Sequence, residues 1–379
     1  MLGPKIYRLT YDIPANIVFP KMIRTHLEQG IASCATGYDR NIIKRTLGEA
    51  LERHLAFSDA DAGGPNLTLS EMDPLVSDWF IRNSRLKLNE HQIQTYRFST
   101  TEVTELPSGE RHFAPLVAFN LGQSKDDNTF GFRDSSGSAL HQSLQQAFIG
   151  SRDEYCERQA LSLFWYFGHC LSSLELKDSE LYEKLKNKLG FIRPLLTSGR
   201  ILLYDISYFS PVRTILSVYV SDIGNIRFAA GASGNKCINE AAHKSLLEMY
   251  QALVLMGNIT DERAKNLINL DDSIIEGYLK HNCQETVDKF IDIHNIKKSQ
   301  TKYVFPDSID FRIEFCREPI FLHQKEVFFS DKKIYFCVMK SIQGFKTMSI
   351  EDVHCSNTLA AARRYGYTKI TNTGPIPFA

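Results

Sequence analysis

Three stretches of the sequence place charged or polar side chains on one face of a helix. Two of them, GEALER at Gly48–Arg53 and DEYCER at Asp153–Arg158, share the pattern Glu-x-x-Glu-Arg. The third is NEAAHKSLLEMYQAL. Residues three and four apart lie on the same side of a helix, so each stretch presents its polar groups together. These groups are Glu49, Glu52 and Arg53, then Glu154, Glu157 and Arg158, and finally Lys244, Glu248 and Gln251.

The second stretch is predicted to face a cleft. Leu161 and Trp165 fall on the same helical face as Glu154 and Glu157, and a solvated face would not normally continue into such side chains. Partly buried carboxylates need cations, because an isolated buried charge is costly. Five glutamates with two or three basic residues therefore predict a hard divalent metal, Mg²⁺ in particular, which keeps water and a substrate phosphate as ligands.

Each stretch taken alone is also typical of a solvated, salt-bridged helix face. In the first helix, Leu47, Leu51 and Leu55 are predicted to form the buried side.

The signatures of several common sites are absent from the sequence. It contains no P-loop, no Gly-x-Gly-x-x-Gly, no Gly-x-Ser-x-Gly and no paired histidines of the zinc-hydrolase type. GASGN at Gly231–Asn235 is interpreted as a turn, and SSGSALH as a flexible polar loop. A P-loop nucleotide site, a serine hydrolase and a zinc hydrolase therefore lack support.

Composition is that of an ordinary globular protein. The 379 residues include 44 basic and 44 acidic side chains, and this balance indicates neither nucleic acid nor a membrane as a partner. None of the eight cysteines is paired as Cys-x-x-Cys, and there is no signal sequence or long apolar run. These features favour a reduced, cytoplasmic protein.

The predicted elements mix helices and strands without strict alternation, which favours an α+β fold in a single domain over 1–379. The helices are predicted at Asn41–Phe57, Ser143–Phe167 and Asn239–Leu255. APLVAFNL and RILLYDISYF are predicted strands, and hairpins are predicted across SDIGN and across Ser330–Lys333. The repeated Glu-x-x-Glu-Arg pattern suggests two similar halves around a central cleft.

RTLGEALER, SSGSALHQSLQQAFIGSRDEYCERQAL and NEAAHKSLLEMYQAL, in this order and spacing, resemble the YcaO family. More narrowly, the chain resembles the cyclodehydratase subunit of microcin-type thiazole/oxazole synthetases. The resemblance implies a YcaO-type ATP-binding fold, with a motif-bearing core at about 37–255 and a strand-rich part at 256–379 that ends in a Pro-containing tail.

The resemblance also implies roles for individual residues. It implies a metal site formed by Glu49, Glu52, Gln146, Glu154 and Glu157. It implies an ATP site formed by Glu49, Arg53, Gln142, Glu154, Arg158, Glu248 and Gln251. The catalytic residues would be Arg158, which matches a phosphate-facing arginine, and Ala379, whose terminal carboxylate the stiff GPIPFA tail would deliver to the site.

The sequence departs from the family pattern at several of these positions. Arg45 stands where a serine is frequent, Gln146 replaces a carboxylate, Gln142 replaces an asparagine, and Ala379 replaces a proline. Because glutamine coordinates without charge, the number of metal ions stays open.

The implied activity is ATP- and Mg²⁺-dependent conversion of Cys, Ser or Thr in a ribosomally made precursor peptide to thiazoline or oxazoline. The implied partners are a leader-peptide-binding subunit and a flavin-dependent dehydrogenase. Two alternatives remain: other YcaO backbone chemistry, which forms thioamides or amidines, and a non-catalytic scaffold subunit.

Overall fold

The computed structural model describes residues 6–12, 14, 16, 18–27, 32–57, 63–84, 88–122, 125–130, 135–264, 279–298, 305–306, 309–329, 332–345, 356–372 and 376. Within these ranges the strands are β1 (Ile6–Asp12), β2 (Lys21–Leu27), β3 (Ala32–Gly37), β4 (Thr100–Leu106), β5 (Arg111–Pro115), β6 (Ser138–His141), β7 (Ser172–Glu175), β8 (Gly199–Asp205), β9 (Phe209–Ser210), β10 (Arg213–Ser221), β11 (Phe228–Asn235), β12 (Ile313–Glu314), β13 (Ile320–Phe329) and β14 (Lys332–Ser341).

The helices in the same ranges are α1 (Asn41–Ala56), α2 (Pro74–Asn83), α3 (Glu90–Thr95), α4 (Lys125–Phe130), α5 (Leu144–Phe167), α6 (Glu180–Leu185), α7 (Ile192–Leu195), α8 (Ile238–Ala264), α9 (Gln284–Lys297) and α10 (Ser356–Arg364).

The strands are arranged mainly in antiparallel sheets. One sheet has the order β1-β2-β3, a second β11-β10-β8-β7, and a third β5-β4-β13-β14-β6. The short strands β9 and β12 pair in parallel. Because β13 and β14 lie between β4 and β6, the third sheet joins early and late segments of the chain.

Helix α5 is buried on nearly all sides because it lies between two sheets. One hydrophobic cluster joins it to Leu202 and Tyr204 of the four-stranded sheet and to Leu322 and Met339 of the five-stranded sheet. Such a helix needs apolar side chains around its whole circumference. Its sequence from Tyr155 to Phe167 meets this need, and its glutamates are therefore held in a fixed place.

Helix α8 covers the opposite face of the four-stranded sheet, where Leu246 and Met249 pack with Leu203 and Ile215. Strand β11 is the edge of this sheet, and it contacts both α5 and α8. Helix α1 packs on β2 and β3 and also contacts β6. These contacts bring the three helices that carry the acidic stretches to one region.

Two glycines of β11 permit the close approach of these helices. A Cβ added at Gly231 would collide with the backbone nitrogen of Met249 and lie 2.6 Å from the carbonyl carbon of Glu248. A Cβ added at Gly234 would lie 2.7 Å from the carbonyl oxygen of Asp153. Both neighbours are backbone atoms and cannot rotate away, so any side chain here would separate the helices from the strand.

The mixed α+β class predicted from the sequence is confirmed. The three predicted helices correspond to α1, α5 and α8, of which α8 continues to Ala264. The hairpin across SDIGN joins β10 and β11, and the later hairpin joins β13 and β14. The similar halves and the division at about residue 255 stay predictions.

Several local predictions are wrong. Gly231–Asn235 is not a turn but the end of β11, because its small residues pack under α8 and α5. The last four residues of SSGSALH form strand β6, which pairs with β14. The predicted strand APLVAFNL ends at Pro115, and a 3₁₀ turn follows at Leu116–Ala118.

The buried side of α1 also differs from the prediction. Leu55 is buried, whereas Leu47 is exposed, because the helix buries Ile42, Thr46 and Ala50 against its neighbours. In the ranges given above, no helix combines the length and the apolar character that crossing a bilayer requires.

Replacing Gly231 with Ala should lower the free energy of unfolding by about 1–3 kcal/mol, the usual cost of overpacking. Gly48→Ala is the matched control, because a Cβ there meets nothing within 4 Å and Ala favours the helix by roughly 0.5–1 kcal/mol. Denaturant unfolding of both variants measures the difference. Equal stability of the two variants would contradict the tight packing of α8 on β11.

Candidate active site

A cavity of about 490 Å³ lies where α1, α5 and α8 meet β3 and the edge strand β11. This volume is within the range usual for small-ligand sites. Its polar lining consists of residues from the three acidic stretches together with Arg45: Arg45, Glu49, Arg53, Glu157, Arg158, Lys244, Glu248 and Gln251. Its apolar lining includes Leu161, Phe228, Leu255 and Met256.

On α1, Glu49 and Arg53 form an ion pair with 2.8 Å between their charged atoms. Glu49 also accepts a hydrogen bond from the backbone of Cys34 in β3. Glu52 accepts a hydrogen bond of 2.8 Å from the Ser138 hydroxyl in β6. The two glutamates of this stretch therefore have different surroundings, and Glu49 is the one that lines the cavity.

On α5, the Arg158 side chain lies 3.7 Å from both Glu154 and Glu157. Glu157 is buried, and its Oε2 accepts a hydrogen bond of 3.1 Å from the backbone N–H of Gly234. This bond fixes the carboxylate against the edge of β11. Glu154 is partly exposed beside the cavity, and its role stays a prediction.

On α8, Gln251 connects the helix to β3. Its amide oxygen accepts a bond of 3.1 Å from Thr36, and its amide nitrogen donates one of 3.3 Å to the Cys34 carbonyl. Glu248 and Lys244 lie about one and two turns earlier on the same helix and face the cavity. Gln251 thus helps to close the cavity between α8 and β3.

Burial raises the pKa of each cavity glutamate. Desolvation raises the pKa of Glu49, and the nearby Glu52 carboxylate raises it further, against the lowering effect of Arg53. Desolvation likewise raises the pKa of Glu157, partly offset by Arg158. Glu248 is open to the cavity but surrounded by protein. Its pKa is raised well above the ordinary value, mainly by desolvation and to a smaller extent by repulsion from Glu157.

These shifts show that burial disfavours the charged form of each cavity glutamate, although four basic side chains, Arg45, Arg53, Arg158 and Lys244, also line the cavity. Among the described residues, however, the cavity carboxylates do not form a group of three whose ligand atoms all lie within 4.8 Å of one another. This spacing does not fit a closed all-protein metal cage. It fits Mg²⁺ held by one or two carboxylates, with water and phosphate oxygens completing the coordination.

Some residues predicted for the site lie elsewhere or outside the described ranges. Gln142 and Gln146 are exposed near the start of α5, and the described lining of the cavity does not include them. Ala379 lies outside the described residues, as do Pro375 and Pro377. Their predicted roles remain predictions.

Several lining residues belong to no motif that the sequence displays. Cys34, Ala35 and Thr36 reach the cavity because β3 lies beside α1 and α8, which no short motif indicates. In the sequence, Arg45 stands out only because the family often has a serine at this position. It lines the cavity and lies 3.5 Å from Asp39. One turn before Glu49 on α1, it could have been found from helical spacing.

Without ligand, the protein should lose stability as pH rises above about 4.3, the ordinary value of a glutamate. Raised pKa values in the fold mean that the folded state binds more protons than the unfolded state, so the free energy of unfolding falls as pH approaches the raised values. Glu157→Gln should flatten this dependence, because it removes a desolvated charge and its repulsion of Glu248.

Melting temperatures of wild type and Glu157→Gln from pH 4 to pH 8 measure this effect. Glu102→Gln, on the exposed face of β4, is the control and should follow the wild-type curve. If the melting temperature of Glu157→Gln also varies with pH as in wild type, the pKa of Glu157 is not raised in the folded protein.

Known proteins resemble this chain in sequence and in fold. The microcin B17-processing protein McbD of Escherichia coli is 28% identical over 260 residues, which is 65% of this chain and 62% of McbD. The chain therefore spans less than two thirds of the length of this relative.

Two solved structures show the same fold at low sequence identity. In the E. coli microcin synthetase McbBCD complex with pro-MccB17 bound, one chain matches with a TM-score of 0.78 and 20% identity, over 98% of this chain and 96% of that one. YcaO from Methanopyrus kandleri, bound with AMPPCP and Mg²⁺, matches with a TM-score of 0.58 and 13% identity, over 90% and 86% of the two chains.

The family described as YcaO cyclodehydratase, ATP- and Mg²⁺-binding, matches residues 45–333, which is more than half of the chain. This region contains all three acidic stretches and the whole charged lining of the cavity. The chain belongs to the YcaO cyclodehydratase family, whose ligands are ATP and Mg²⁺, and the family predicted from the three acidic stretches is confirmed.

Proposed function

We propose that this chain is an ATP- and Mg²⁺-dependent cyclodehydratase that converts Cys, Ser or Thr residues of a ribosomally made precursor peptide to thiazoline or oxazoline. The observation that carries the proposal is the meeting of Glu49, Glu157 and Glu248 at one cavity with raised pKa values. A magnesium-bound triphosphate suits this lining, because carboxylates are ligands for the ion and the four basic side chains of the lining suit its phosphates.

The cavity lining suggests how a nucleotide would lie. The charged end would hold the phosphates, with Arg158 and Lys244 near their oxygens and the glutamates near the metal. The apolar end, with Phe228 and Leu255, suits an aromatic base. Mg²⁺ would neutralise the charge that develops during transfer of the phosphoryl group.

The proposed reaction uses ATP to make a leaving group. The side-chain thiol or hydroxyl of the substrate loses its proton as its sulfur or oxygen adds to the preceding carbonyl carbon. The carbonyl oxygen becomes the oxygen of a tetrahedral adduct. The γ-phosphoryl group passes to that oxygen and ADP is released. Loss of phosphate and of the amide proton then forms the C=N bond of the ring. Arg158 would stabilise the transferring group, as fixed cations do in phosphoryl transfer.

The proposed partners follow from the relatives. McbD is named as a processing protein of microcin B17, and its complex has been solved with pro-MccB17 bound. This supports a precursor peptide as the substrate and partner subunits for this chain. We extend it to a leader-peptide-binding subunit, which would bring the peptide, and a flavin-dependent dehydrogenase, which would oxidise the rings in the cytoplasm.

The positions of Gln142 and Gln146 favour a second candidate function. Both are exposed and lie off the described cavity lining, and Gln146 stands where the family resemblance implies a charged metal ligand. A scaffold subunit without catalysis would tolerate this. Calorimetry separates the two functions, because an enzyme must bind ATP in the presence of Mg²⁺ and lose affinity in EDTA.

Glu157→Gln should lower the rate of ring formation about a hundredfold or more, the usual effect of losing one charge-stabilising group in such a site. The assay combines the chain with its precursor peptide and partner subunits. Mass spectrometry counts the loss of one water per ring, and a coupled assay follows ADP.

The Glu102→Gln variant is again the control, since its side chain lies on the exposed face of β4, away from the cavity. Near-normal turnover by Glu157→Gln would mean that the cluster is a structural ion-pair network. Unchanged secondary structure by circular dichroism is required for either conclusion.

A further inference from the structure

A second group of potential metal ligands lies on the hairpin formed by β4 and β5. One ligand atom from each of Glu105, Glu110 and His112 lies within 4.8 Å of the others. The hairpin is at the edge of the five-stranded sheet opposite to β6, whose Ser138 contacts the acidic stretch of α1. Four strand spacings of about 4.8 Å separate β5 from β6, so this group is far from the cavity.

The register of the hairpin places these three side chains on one face. His112 is opposite Val103, whose side chain is buried in the core. Glu105 is two residues beyond Val103 on β4, and Glu110 is two residues before His112. Since strand side chains alternate, all three point to the same side, where α2 packs on β5.

The position of His112 is an independent sign of a ligand. Its side chain is only 7% exposed, and in the part of the chain that the structure describes its Nε2 has no hydrogen-bond partner. Nε2 lies 3.7 Å from Oε2 of Glu105, too far for a hydrogen bond. A buried imidazole nitrogen without a partner is costly, and one that faces the Glu105 carboxylate across this gap is placed to share a cation with it.

We propose that Glu105, Glu110 and His112 bind a zinc ion. Imidazole and carboxylate are both zinc ligands at about 2.0–2.2 Å, and two ligand atoms around a tetrahedral zinc lie about 3.4 Å apart. The 3.7 Å between His112 and Glu105 is close to that spacing. Glu110 is exposed and can adjust, and water would take the fourth position. The imidazole distinguishes this site from the all-oxygen magnesium site of the cavity.

The other nitrogen of His112 lies near a carboxylate, at a distance slightly longer than a hydrogen bond. Nδ1 lies 3.6 Å from Oδ2 of Asp73, and Oδ1 of the same carboxylate accepts a bond of 2.8 Å from the Leu75 N–H at the start of α2. A carboxylate behind a ligating histidine holds the ring in the tautomer that leaves Nε2 available. The ion would therefore tie the tip of the β4–β5 hairpin to the first turn of α2.

Zinc titration by calorimetry, on metal-stripped full-length protein in excess Mg²⁺, tests the site. Wild type and Glu157→Gln should bind zinc with the same affinity, because the cavity is not involved. His112→Ala should lose this binding. Asp73→Asn keeps an N-cap for α2 but weakens the support of His112, and should lower the affinity about 10–100-fold.

Glu110→Gln separates a loss of ligand from a loss of fold, because the exposed side chain can change without disturbing the core. It should weaken zinc binding while circular dichroism and melting without zinc stay as in wild type. Equal zinc affinity in wild type, His112→Ala and Glu110→Gln would overturn the proposal. So would an absence of zinc binding by wild type, which would leave the three side chains as an ion-pair group only.

Discussion

Repulsion among desolvated carboxylates is the interaction that the rest of the structure must oppose. Glu49, Glu157 and Glu248 come from three helices that are far apart in the sequence. Desolvation raises the pKa of Glu248, and the charge of Glu157 raises it further. Arg53 and Arg158 lie on the same helices as the glutamates and offset part of this repulsion. A divalent ion bound beside these carboxylates would favour their charged form further, which connects the fold to its family's ligands.

The hydrophobic core supplies the force that holds these charges together. Helix α5 is packed between two sheets, and α8 is packed on the outer face of one of them, so neither helix can withdraw without exposing apolar surface. Strand β11 sets the distance between them, because Gly231 and Gly234 have no side chains to separate the helices from the strand. The same strand donates the Gly234 N–H to Glu157. Strand β11 therefore both permits the close packing of the two helices and holds one of the cavity carboxylates.

Much of the candidate site could be predicted because its signals are local. Helical spacing was enough to group Glu49 with Arg53, and Glu154 with Arg158. Three helices in order were enough to identify the family. The surroundings of these groups could not be predicted, because they depend on contacts between distant segments. GASGN was mistaken for a turn since glycine is common in turns, whereas here glycine is needed for close approach. The sequence predicts that Leu47 is buried, but the helix buries Ile42, Thr46 and Ala50 instead.

The central claim is that the three acidic stretches form one site for a magnesium-bound nucleotide. A crystal structure with a non-hydrolysable ATP analogue and Mn²⁺ in place of Mg²⁺ tests it most directly, since the anomalous signal locates the ion. The account predicts an ion beside carboxylates that line the cavity and phosphates near Arg158 and Lys244. An ion or a triphosphate bound away from Glu49, Glu157 and Glu248 would contradict it.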